Sequence, residues 1–218
     1  MKKLLIFDLD GTLLDTIEDI RCVLNSILEK YGLKTLNRKE VISKVGYGAR
    51  RLVELAVGDI DKDKLEVIYS DYVKALALCK NEKTVLYDGL DEVLKALKKD
   101  GYKLAIVSNK PDDAVKVAYK DKLVNYEFDF VMGNMPNLFN PKPDKSCVEY
   151  CLNQMGISKK DAVYIGDSEV DVETFINSEV DGISVLWGFR GKEVLEKFGS
   201  TRFASTGLEL YEIIKSFN

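Results

Sequence analysis

The stretch LLIFDLDGTLLDT, residues 4–16, decides the fold. Its opening run, Leu4, Leu5, Ile6 and Phe7, is apolar without alternation, the pattern of a strand buried on both faces in the middle of a parallel sheet. Asp8 and Asp10 close that run, Gly11 frees the backbone to turn, and Thr12 adds a hydroxyl. Two carboxylates at the end of a core strand cost desolvation and mutual repulsion unless a cation or a reaction needs them there. One Asp ahead of a Gly is an ordinary helix cap, so the weight rests on both acids together with the Gly and Thr.

Working outward from this strand, no second core-type strand occurs before about residue 83. Helical periodicity fills the interval: Ile17, Ile20, Val23, Leu24, Ile27, Leu28 and Tyr31 form one stripe, ended by Gly32, and further helices are expected over 39–45, 50–57 and 62–80. The pattern then changes. A helix opened by Gly89 stops at Gly101, and strands are expected at 104–107, 128–132, 163–165 and 183–187, separated by helices over 111–122, 144–155 and 169–177. A last helix covers about 207–217. Strands alternating with helices across short loops predict an α/β fold, a three-layer Rossmann-like parallel sheet core with an inserted helical domain. The expected division is 1–14 and 84–218 for the core and 15–83 for the insert.

Composition narrows the function. The 218 residues are 46% hydrophobic, enough for a sizeable core, and 32 basic against 36 acidic residues give a net charge of −4 with no basic run. Neither a nucleic-acid footprint nor a membrane segment is present in that pattern: the apolar run after Lys2 and Lys3 meets Asp8 after four residues. The expected compartment is the cytoplasm. Cys22, Cys79, Cys147 and Cys151 read as free thiols, the last two sharing a helix face as buried packing. Histidine is absent, which excludes Ser-His-Asp triads, Cys-His pairs and histidine-ligated metals built from this chain.

In open parallel sheets ligands bind beyond the carboxyl ends of the strands. There the sequence puts Asp8 and Asp10, then Ser108 and Asn109, then Lys142 in the loop after the third strand, then Asp167, Ser168 and Asp171. Taken singly, each has a plain structural use as a cap, a loop residue or a solvated charge. Taken together they form a pattern. DLDGT resembles motif I of the haloacid dehalogenase (HAD) superfamily of phosphohydrolases, VSNK at 107–110 resembles motif II, Lys142 of PKPD resembles motif III, and IGDSEVD at 165–171 resembles motif IV with its GDSxxD spacing. Lys145 stands where KPxP variants of motif III have a second proline. Asn177 in FINSEVDG falls where relatives read Ala-Gly, and is expected to take the left-handed cap that glycine would.

The resemblance implies roles residue by residue. Asp8 is the nucleophile that forms an aspartyl phosphate, and Asp10 is the general acid and base. Mg²⁺ is the implied cofactor, held by Asp8, the Asp10 backbone carbonyl and Asp167, with Asp171 in support. Lys142 and Ser108 hold the phosphoryl oxygens, assisted by Asn109 and by backbone N–H groups around Gly11 and Thr12. An acid at position 10 separates phosphatases from dehalogenases and phosphonatases, which lack it. An insert directly after motif I is the C1-cap arrangement, and both VGYGARRLVELAV at 45–57 and VLWGFRG at 185–191 resemble phosphoglycolate phosphatase-like members. Within the cap, Gly46, Gly48, Arg50 and Arg51 are candidate specificity residues, either arginine serving as a clamp for a substrate carboxylate or, equally, facing solvent at a helix start. The implied partner is a small phosphorylated metabolite, phosphoglycolate first, acted on by a monomer or homodimer. Inorganic pyrophosphate, nucleotide or sugar phosphates, mutase chemistry of the β-phosphoglucomutase kind, and a non-catalytic regulatory role stand as alternatives.

Overall fold

The structure is a computed structural model that describes residues 2–217, so Met1 and Asn218, the ends of the expected core, lie outside the described residues. Strand β1 (Leu4–Phe7) occupies the centre of a six-stranded sheet. It runs parallel to β4 (Lys103–Pro111) on one side and β6 (Ala162–Gly166) on the other. Beyond β4 lies β5 (Phe130–Asn134); beyond β6 lie β7 (Asp181–Val185) and β8 (Phe203–Ala204), giving the order β5-β4-β1-β6-β7-β8, parallel throughout.

Both faces of β1 are covered, as its unbroken apolar run requires. Leu5 and Phe7 join the core formed with α5 (Leu90–Lys99), α6 (Asp112–Lys122) and α10 (Gly207–Lys215). Leu4 and Ile6 face the opposite core, packed by α7 (Ser146–Met155), α8 (Glu169–Ser178) and α9 (Lys192–Lys197). Cys147 and Cys151 are free and buried in this second core. The register pairs Phe7 with Ile106 and with Ile165, which brings Asp8, Ser108 and Asp167 to one edge although β4 runs on to Pro111.

Helices α1 (Ile17–Lys30), α2 (Arg38–Ile42), α3 (Gly48–Val57) and α4 (Lys62–Ala77) enclose a third core of their own, built from Ile17, Leu24, Leu28, Val41, Val53, Ile68 and Tyr72 among others. The chain leaves and re-enters the sheet through a two-residue antiparallel pair, β2 (Leu14–Asp15) with β3 (Val85–Leu86). Two residues are too few to print an alternation on the sequence, and this pair was not expected. Nor were β8 and α9, which occupy what reads as a polar loop. The strand expected at 128–132 begins two residues later, because Asp129 instead accepts hydrogen bonds from the Leu104 amide and Lys98 at the sheet's lower edge. Asn177 is not the left-handed cap: it stays within α8 and donates its amide to the Pro143 carbonyl, while Glu179 takes the left-handed conformation at φ 58°.

Among the described residues no helix is long and apolar enough to cross a membrane.

Candidate active site

Lys142 is the hub of the strand-end edge. Its ammonium lies 2.8 Å from Asp8 Oδ1 and 2.7 Å from Asp171 Oδ1, and donates to the Tyr164 hydroxyl at 2.8 Å. All four groups are buried. Burial alone would strip the lysine of its proton, but the two carboxylates outweigh that and hold its pKa above the ordinary lysine value. Burial likewise pushes Asp8 up, against the pull of Lys142 and with the push of the Asp171 charge, to about 7. Burial and the charges of Asp171 and Asp8 also raise Asp167 well above the usual carboxylate range. Asp171 is the exception: burial would raise it, yet Lys142 and Ser168 keep it low.

Carboxylate oxygens of Asp8, Asp167 and Asp171 lie within 4.8 Å of one another. Of the three buried acids only Asp8 and Asp171 pair with the lysine, and Asp8 and Asp167 resist ionisation. This is the donor chemistry of a hard divalent cation, which would neutralise the excess charge, so the residues fit the Mg²⁺ that the sequence implies. Asp167 is fixed from two sides, accepting from Thr12 Oγ1 at 3.0 Å and from the Phe189 amide at 2.7 Å. The Thr12 hydroxyl is therefore spent on Asp167. Asp171 Oδ2 accepts from Ser168 Oγ at 2.6 Å and from the amides of Ser168 and Asp167, bracing the loop between β6 and α8.

Two glycines make room for Asp167. Gly11 turns at φ 92°, and a Cβ there would come 2.5 Å from Asp167 Oδ2. A Cβ on Gly188 would collide with the Asp167 side chain and the Gly11 carbonyl oxygen. Gly188→Ala should therefore shift this carboxylate and, if it holds the cation, raise the metal concentration for half-maximal activity about 10- to 100-fold, measured by metal titration of phosphate release. An unchanged titration would show that Asp167 is not a ligand.

The charge pattern also sets a pH dependence. Folding raises Asp8 from 3.8 to about 7 and raises Asp167 above its ordinary value as well. Stability from Asp8 is full below about pH 4 and is lost as pH climbs through about 7, and that from Asp167 is lost in the same direction. Asp171, held low, contributes stability that is full above about pH 4 and is lost only as pH falls below that, so it adds no slope between pH 4.5 and 7.5. The melting temperature of the metal-free protein should thus fall from pH 4.5 to 7.5, and Mg²⁺ should restore it most at the upper end. Equal shifts by Mg²⁺ at both ends would contradict this charge balance.

Asp10 stands apart from the cluster. It is half-buried, and Lys110 grips its carboxylate at 2.9 and 3.3 Å. Ser108 Oγ accepts from the Lys110 amide at 3.3 Å, leaving its own proton to donate into the site. Asn109 differs from expectation: its amide donates to the carbonyls of Gly46 (3.1 Å) and Lys142 (2.9 Å), and its oxygen accepts the Lys142 amide (2.8 Å). With both ends committed, the Asn109 side chain positions the Lys142 backbone and ties it to the Gly46 carbonyl.

The cap glycines are also spent on packing. Gly46 supplies the carbonyl that meets Asn109, and a Cβ on Gly48 would lie 3.1 Å from the Asn109 carbonyl oxygen. Arg50 and Arg51 are not brought to the site. Arg50 pairs with Glu54 and Glu66, Arg51 with Glu54, and their side chains are 45% and 54% exposed. The reason is periodicity: Ala49, Leu52 and Val53 face the cap core, which turns both arginines outward. The cap instead lays Ile20, Val45, Ala49, Leu52, Tyr72 and Leu76 over a pocket floored by Asp8, Asp10, Ser108, Lys110, Lys142 and Asp167.

Sequence reasoning assigned no role to Lys110, Tyr164 or the Trp187–Arg190 segment. Trp187 donates to the Thr12 carbonyl, and Arg190 joins Glu169 to the carbonyls of Ile42 and Val45 across the cap boundary. The signal for this segment was the string VLWGFRG itself; nothing in its composition separated a strap from a polar loop.

Comparison with known proteins follows the same lines. The family model for haloacid dehalogenase-like hydrolases matches residues 5–185. A phosphoglycolate phosphatase of Psychrobacter arcticus is 30% identical over 213 residues, covering 92% of this chain and 90% of its own. One from Colwellia psychrerythraea is 28% identical, covering 91% and 90%. A crystal structure from Lactobacillus delbrueckii subsp. bulgaricus, named provisionally as a phosphoglycolate phosphatase, superposes with a TM-score of 0.89 at 31% identity, covering 98% of this chain and 99% of that one.

Proposed function

The chain belongs to the haloacid dehalogenase-like hydrolases, and on that premise we propose that it is a Mg²⁺-dependent phosphatase of a small phosphomonoester, phosphoglycolate first, working through an aspartyl phosphate on Asp8. The observation that carries this reading is the pairing of two unlike acids on one strand end: Asp8 buried against Lys142, Asp10 half-buried and facing the same pocket.

Asp8 attacks phosphorus and forms an O–P bond as the ester O–P bond breaks. Asp10 gives its proton to the departing oxygen, then takes one from the water that attacks phosphorus in the second step, which restores Asp8 and releases phosphate. Lys142 and the Ser108 hydroxyl neutralise and orient the phosphoryl oxygens. Bound by Asp8, Asp167 and the Asp10 backbone carbonyl, with Asp171 behind them, the cation supplies charge cancellation between an anionic nucleophile and an anionic ester. Residues 15–83 serve as a cap over the core, limiting water at the aspartyl phosphate and selecting the leaving group. We place the enzyme in the cytoplasm, where its free cysteines stay reduced.

The test is phosphate release with Mg²⁺ from phosphoglycolate, pyrophosphate, a nucleoside monophosphate and a sugar phosphate, with no bisphosphate activator. Turnover of phosphoglycolate above the others supports the reading. A requirement for a bisphosphate activator, or no release from any ester, overturns it.

A further inference from the structure

Three basic side chains line the pocket: Lys110, Lys142 and Arg190. Lys142 is committed to Asp8, Asp171 and Tyr164 at the phosphoryl end. Arg190 is committed at every nitrogen, Nε and Nη2 to Glu169, Nη1 to the Ile42 carbonyl and Nη2 also to the Val45 carbonyl. The Lys110 side chain is only 5% exposed, and its ammonium pairs with the carboxylate of Asp10. Opposite it, the cap presents Ile20, Ala49, Leu52 and Leu76, with the Tyr72 hydroxyl as the one polar side-chain group on that wall among the described residues.

Resting on the phosphatase reading above, we propose that Lys110 is the specificity-determining residue of the site and that the substrates are phosphate esters of short hydroxy carboxylates. The leaving oxygen must come within a hydrogen bond of Asp10 to receive its proton. Lys110 lies 2.9 Å from that same carboxylate, so an anion two or three bonds beyond the leaving oxygen falls within reach of the ammonium. A single ammonium, shared with Asp10, balances the one charge of a carboxylate better than the two or three of a leaving phosphate. The apolar wall accepts the carbon atoms of a short acid. It disfavours a sugar, most of whose hydroxyls would be desolvated against leucine and isoleucine, with the Tyr72 hydroxyl alone to meet them from the cap's side chains.

The experiment compares kcat/KM on phosphoglycolate, on ethyl phosphate as its neutral counterpart, and on pyrophosphate, with parent enzyme, Lys110→Met and Lys110→Arg, each checked for folding by thermal melting. The parent should favour phosphoglycolate over ethyl phosphate by about 10- to 100-fold, the scale of one charged hydrogen bond. Lys110→Met should shrink that ratio toward one, chiefly through KM, and Lys110→Arg should keep most of it. Equal losses on both esters in Lys110→Met would make Lys110 a positioning residue for Asp10 and overturn the proposal. The parent alone provides a second test if the Met variant does not fold: indifference between phosphoglycolate and ethyl phosphate, or faster turnover of pyrophosphate, overturns it while esters are still hydrolysed. Failure to hydrolyse any ester would instead remove the phosphatase reading, and this inference with it.

Discussion

Asp8→Asn lowers kcat on every phosphoester by about 10⁴- to 10⁶-fold, the scale of losing a covalent nucleophile. The amide keeps the shape of the side chain but has no oxygen able to attack phosphorus. A loss of activity through misfolding is distinguishable, because the structure predicts the opposite effect on stability. Burial holds the Asp8 carboxyl at about 7, so the charged form is disfavoured in the metal-free protein, and a neutral amide relieves that cost. Lys142 keeps Asp171 and Tyr164 as partners. The metal-free variant should therefore melt no lower than its parent at pH 7.5, while steady-state phosphate release disappears. A variant that melts normally and retains a tenth of parental turnover would remove Asp8 from the nucleophile's role.

Asp10→Asn separates substrates by leaving group. An alkoxide leaves poorly without a proton, so turnover of phosphoglycolate should fall about 10²- to 10⁴-fold, the usual contribution of a general acid. p-Nitrophenolate is stable unprotonated, and its release in the first step should suffer far less. The Asn oxygen can still accept from Lys110, which holds the side chain in place. Parallel losses on the two substrates would assign Asp10 to positioning rather than to proton transfer.

Much of this site was legible because its residues end strands whose burial is written in the sequence. Leu4–Phe7, 104–107 and 163–165 are short unbroken apolar runs, and the polar residues directly after them must gather at one edge once the strands align. Asp8, Lys142, Asp167 and Asp171 meet there. Side-chain commitments were not legible. Asn109 follows Ser108 just as a phosphate ligand would, yet its amide geometry suits the backbones of Gly46 and Lys142. Thr12 sits beside Gly11 and spends its hydroxyl on a residue 155 positions away. Lys110 looked like the end of a motif, and only the fold shows its pairing with Asp10 across 100 residues. Arg50 and Arg51 were readable and were misweighted: the stripe Ala49, Leu52 and Val53 already turned them outward. Elements of two residues, β2, β3 and β8, carry too little pattern to be seen without their partners.

The central claim is that phosphoryl transfer passes through Asp8, and the most direct measurement is acid quenching during turnover of phosphoglycolate with Mg²⁺, followed by peptide mass analysis. The account predicts one phosphoryl group, carried by the peptide that spans Leu4–Thr12 and lost when Asp8 is replaced by Asn. Phosphate released at full rate with no phosphorylated peptide at any quench time, or a phosphoryl group on another residue, would contradict it.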